Sequence, residues 1–94
     1  MTGALANIKK AVERAAECPA KHIESAEVIE GFRHQIVWTG TVEIFDLIGH
    51  PNANRAYGWQ EGERFVAVLE IPPVDSASTA VRAAIAASQK STRN

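Results

Sequence analysis

The chain has 94 residues, 46% hydrophobic and 22% charged, with ten Lys and Arg against eleven Asp and Glu for a net charge of −1. That length allows one domain with a small core, the near-neutral charge argues against a polyelectrolyte binder, and the single cysteine, Cys18, excludes an intrachain disulfide framework. There is no apolar run of about 18 residues, and no hydrophobic segment of signal-peptide length precedes Lys9 and Lys10. Neither a membrane span nor secretion is therefore expected, and the cytoplasm is the expected location.

Residues 4–17 place Leu5, Ile8, Val12, Ala15 and Ala16 within an arc of roughly 100° at helical spacing, opposite Asn7, Lys10, Glu13, Arg14 and Glu17, which predicts an amphipathic helix. Thr2 is a candidate cap, and Pro19 ends the helix by biasing Cys18 away from helical geometry. Over residues 22–30, Ile23, Val28 and Ile29 break strict alternation, so only a short edge strand is predicted there, with Gly31 permitting a turn. Residues 35–48 are the strongest strand signal: Ile36, Trp38, Gly40, Val42 and Ile44 point one way, and Val37, Thr39, Thr41, Glu43, Phe45 and Leu47 the other. Gly40 predicts a bulge or the close approach of a helix.

Residues 49–54 (Gly-His-Pro-Asn-Ala-Asn) are dense in turn chemistry and predict a loop. A short strand follows over 55–60, with Arg55, Tyr57 and Trp59 on one face and Ala56 and Gly58 on the other. Glu61 and Gly62 make a tight connection to a strand over 64–71, where Phe65, Ala67, Leu69 and Ile71 face one side and Val66 and Val68 the other. Pro72 and Pro73 end the sheet, and Asp75 or Ser76 caps a second helix over 77–89 whose buried face carries Ala77, Val81, Ala84, Ile85 and Ser88. Residues 89–94 read as a frayed tail.

Two helices bracketing an antiparallel meander of three to four strands predict a single α+β domain over residues 1–94, arranged as a two-layer sandwich with both helices on one sheet face. Because both faces of the sheet are apolar, the uncovered one needs a partner. Either the Val37, Phe45 and Leu47 set or the Trp38, Val42 and Ile44 set is left bare. A partner or a ligand is the expected cover, most simply a homodimer through the open face (Val37, Phe45 and Leu47) or an edge strand, the alternative being that loops and long side chains shield it.

The most distinctive segment spans residues 38–59, Trp38-x-Gly40-x-Val42-Glu43-x-Phe45-x-Leu47-x-Gly49-His50-Pro51-x-Ala53-x-x-Ala56-Tyr57-x-Trp59. It resembles a group of small bacterial proteins of unknown function that share a similar strand, Gly-His-Pro turn and Tyr-x-Trp run. That resemblance implies a bacterial, cytoplasmic protein and no particular activity. Within the segment, His50, Asn52, Arg55, Tyr57 and Trp59 form the candidate ligand site: an imidazole titrating near neutrality, a guanidinium for anions and aromatic rings for stacking. No nucleophile with a partnered base is recognisable, and no cofactor is implied. Cys18 and His22 have ligand-like spacing, but Pro19 lies between them and no second pair follows, so no metal site is expected.

The α-β-β-β-α order is shared with the double-stranded RNA-binding domain, but residues 41–75 hold two basic and six acidic side chains, the wrong sign for phosphate. Neither nucleic acid nor membrane is an expected partner. The sequence thus points first to a non-enzymatic interaction module that self-associates, and second to a small-molecule-binding or catalytic protein centred on His50, Arg55 and Tyr57.

Overall fold

A computed structural model describes residues 2–91 in the order α1 (Thr2–Ala16), β1 (Ala20–Phe32), β2 (Gln35–Leu47), β3 (Arg55–Glu61), β4 (Arg64–Leu69) and α2 (Ala77–Ser91). The four strands form one antiparallel sheet in the order β1-β2-β3-β4. The α+β class, the meander and the flanking helices are those predicted. The tail expected over 89–94 is helical through Ser91, and its last three residues lie outside the described ones, as do the side chains of Thr2 and Ser88.

Cross-strand register sorts the side chains onto two faces. Phe45 opposes Ala56, which opposes Leu69, while Ile44 opposes Tyr57, which opposes Val68. On the first face α1 lays Ile8, Val12 and Ala16 against Phe45, Leu47, Ala53 and Ala56. On the second, α2 lays Ala80 and Val81 against Val28, Val42, Ile44, Tyr57 and Trp59. The expected two-layer sandwich is therefore corrected to three layers, helix on sheet on helix. Each apolar face is covered by a helix of its own chain, so Phe45 and Leu47 lie in the core beneath α1 and are not an open dimer face. Val37, grouped with them by strict alternation, is separated from them and exposed.

The element ends follow from local chemistry. Glu17 takes a left-handed conformation (φ 57°) and donates its N–H to the Glu13 carbonyl at 2.8 Å, closing α1 just before Pro19. Ser76 caps α2: its Oγ accepts the Thr79 N–H at 3.2 Å, and Thr79 Oγ1 returns the favour to the Ser76 N–H at 2.9 Å. Gly58 lets α1 lie directly on β3, since a Cβ there would stand 2.7 Å from Ile8 Cγ2 and 3.0 Å from Val12 Cγ2. Gly40 serves a different neighbour from the predicted helix or bulge. The indole of Trp38 folds over it, and a Cβ would meet Trp38 Cη2 at 2.9 Å.

Strand β1 is 13 residues long, well beyond the short strand expected over 22–30. A bulge at Ile23, between His22 opposite Phe45 and Glu24 opposite Ile44, inserts one residue and reverses which face the following side chains meet. That phase change is why the alternation looked broken. The reversal expected at Gly31 occurs instead at Arg33 and His34, both with positive φ (52° and 67°), as a two-residue type I′ turn requires.

The β1–β2 ladder runs out to Phe32 opposite Gln35, but the β2–β3 ladder spans only Glu43 opposite Gly58 to Asp46 opposite Arg55. Beyond Glu43 the far half of the β1–β2 hairpin consequently diverges from β3, which runs on to Glu61 paired with β4. A register irregularity there pairs Trp38 with Glu30 and Ile36 with Gly31, leaving Val37 bulged.

Candidate functional site

His50 is held by its own loop. Its Nδ1 accepts the backbone N–H groups of Asn52 and Ala53, both at 3.0 Å, which shapes the Gly-His-Pro-Asn turn and seats Ala53 in the core beneath α1. An acceptor occupied twice by backbone donors is not available to take a proton from a substrate. Asn52 is exposed beside it.

Arg55, Tyr57 and Trp59 alternate along β3 and face the α2 side. Arg55 Nε lies 3.4 Å from Asp46 Oδ1 in a cross-strand pair that is about half exposed at both ends. The buried Tyr57 donates its hydroxyl to Glu70 Oε2 at 2.6 Å. Burial, then the hydrogen bond and negative charge of Glu70, push the phenol well above the ordinary tyrosine range, with Arg55 acting in the opposite direction. A phenol so disposed is a fixed donor rather than an acid–base group. Trp59 is buried, donates its indole N–H to Glu61 Oε1 at 3.3 Å, and meets Trp38 edge to face at a centroid distance of 5.7 Å.

The five predicted ligand residues therefore do not converge. The His50 loop feeds the α1 side of the sheet, while Tyr57 and Trp59 belong to the α2 side. A groove of about 1080 Å³ opens elsewhere, between the far half of β2, the β3–β4 hairpin and α2, lined by Val37, Trp38, Trp59, Val66, Val81 and Ile85. Of the predicted set only Trp59 borders it.

Two polar clusters were not visible in the sequence. His22 Nε2 lies 2.8 Å from Glu43 Oε1, and Ser25 Oγ donates to that same oxygen. The residue types are those of a hydrolytic triad, but the serine bonds to the carboxylate and not to the imidazole, so no base activates it. The cluster ties β1 to β2, with His22 edge-on to Phe45 at 5.3 Å. On the other face Arg82 Nε donates to Glu30 Oε1 at 2.7 Å, pinning α2 to β1. Both clusters need the bulge at Ile23 and the placement of α2, and neither leaves a spacing signal. Cys18 packs against the α1 cluster while His22 turns to Glu43, and among the described residues no three His, Cys, Asp or Glu side chains are grouped to hold a metal ion. No described helix is long and apolar enough to cross a membrane.

No family model, curated protein or solved structure matches the chain significantly.

Proposed function

We propose that the protein is a non-enzymatic interaction module that self-associates through the far half of the β1–β2 hairpin. The observation that carries this reading is a cluster of bare apolar side chains on the far half of that hairpin: Ile29, Ile36 and Val37 are 66%, 68% and 50% exposed although α2 packs on Val28 and Glu30 beside them. At about 25 cal/mol per Å², leaving side chains of this size in water forgoes a stabilisation that a partner surface recovers. A second copy is the partner always present at matching concentration. The lone, half-buried Cys18 accords with a reducing, cytoplasmic setting.

The alternative centred on His50, Arg55 and Tyr57 is less well supported, because each of those side chains already has an internal partner. Light scattering after size exclusion across a concentration range tests the reading. A mass approaching twice 10.2 kDa at high concentration is expected; a monomer at every concentration contradicts it.

A further inference from the structure

We propose that the groove on the α2 side of the sheet binds a small amphipathic monocarboxylate, an apolar body with one carboxylate at its end. The proposal goes beyond self-association and does not depend on it. The groove follows from the sheet itself. Past the Glu43–Gly58 pair β2 leaves β3, while β3 runs on with β4 to the turn between Glu61 and Arg64. The space so opened holds about 1080 Å³, on the scale of small-molecule sites. Trp59 is buried beneath it, with Trp38 set edge to face on that ring at 5.7 Å. Trp38, Val66, Ala84 and Ile85 all pack against the α2-side core yet stay partly exposed, because α2 meets the opening with Ala84, too short to fill it.

One charge at the rim is uncommitted. Glu61 and Arg64 both line the groove and stand opposite each other in the β3–β4 ladder, where a cross-strand ion pair is the ordinary outcome. The Glu61 carboxylate instead accepts the Trp59 indole N–H at 3.3 Å. The exposed Arg64 side chain makes no hydrogen bond or ion pair among the described residues. A guanidinium keeps its charge at every physiological pH and offers a planar fork of donors, so at the end of an apolar groove it is a receptor for an anion whose remainder is apolar.

Charge selects the head group. A carboxylate brings a single negative charge to a single guanidinium and matches its fork with two oxygens. A phosphate monoester carries about −1.5 to −2 at neutral pH, and the excess would stand against Glu61. A cationic head would meet Arg64 itself. The lining selects the body: Val37, Val66, Val81 and Ile85 offer no hydrogen-bond partner, and the Trp59 N–H is already given to Glu61, so polar groups along the body would be desolvated without return.

Both tryptophans of the chain line the groove, so intrinsic fluorescence reads it directly. Sodium decanoate, kept below its micelle concentration, is titrated into the full chain in dilute solution, with decanol and decylammonium chloride as probes that change only the head group. A saturable change with decanoate is expected, and the other two probes should bind more weakly by about tenfold or more, the scale of one charge-assisted contact. Arg64→Gln removes the charge at an exposed site and should weaken decanoate binding by a similar factor while keeping the wild-type circular dichroism. Ala84→Leu fills the groove and should weaken all binding. Arg14→Gln, exposed on α1 across the sheet, should bind as the wild type does. If Ala84→Leu does not fold, Arg64→Gln decides. Absence of a saturable change with decanoate overturns the proposal. So does decanoate binding that Arg64→Gln leaves unaltered or that Arg14→Gln weakens equally, or binding of decanol or decylammonium as tight as that of decanoate.

Discussion

His50 and Tyr57 show how residues with catalytic potential become structural once their partners are known. His50→Ala removes the acceptor for the Asn52 and Ala53 N–H groups, and at about 0.5–1.5 kcal/mol for each hydrogen bond a loss of roughly 1–2 kcal/mol in urea unfolding is expected, with the dimer constant unchanged. Tyr57 gives a pH signature. Its folded pKa lies above its unfolded value, through burial and Glu70, so the unfolded chain loses the phenolic proton first. The stability it contributes is complete below about pH 10 and declines as pH rises past that value. Because it is the sole tyrosine, alkaline titration of tyrosinate absorbance reads it directly. The native midpoint should exceed that of the urea-unfolded chain, and Tyr57→Phe should abolish this part of the alkaline decline while costing about 1–2 kcal/mol at neutral pH.

At the scale of elements, periodicity made most of the fold legible because helices and strands repeat their burial locally. Ile8, Val12 and Ala16 announced the buried face of α1, and the alternation from Val42 to Leu47 announced β2. Where one residue shifted the phase, as at Ile23, the pattern vanished although the strand continued. The turn at Arg33 and His34 was hidden because neither residue type signals positive φ as Asn-Gly does. The candidate site was less legible still. Adjacency in sequence grouped His50 with Tyr57, whereas the sheet places their environments on opposite sides, and Glu70 reaches Tyr57 only through the β3–β4 register. The contact of α1 with β3 also yields a prediction. Gly58→Ala drives a methyl into Ile8 and Val12, and overpacking of this kind should cost about 1–3 kcal/mol in chemical denaturation, with a compensating Ile8→Val change recovering part of it.

For the whole molecule, the decisive fact is the side on which α2 lands. Sequence periodicity shows that a helix has an apolar stripe and that a sheet has two apolar faces, but it does not state which stripe meets which face. With α1 and α2 on opposite faces, the sheet centre is sealed within one chain: Phe45 and Leu47 are buried, and Ile29, Ile36 and Val37 on the far half of the β1–β2 hairpin are the exposed apolar side chains on which the proposed association rests. The proposed self-association accordingly concerns the exposed hairpin rather than a bare sheet face.

Amide hydrogen exchange resolved by residue, recorded at low and high protein concentration, tests that claim most directly. Val42 and Ile44, whose N–H groups turn toward β1, should be protected at both concentrations. Thr39 and Thr41 should exchange freely in dilute solution and become protected as concentration rises. Protection of Thr39 and Thr41 that is already present in dilute solution, or that never develops, would contradict the account.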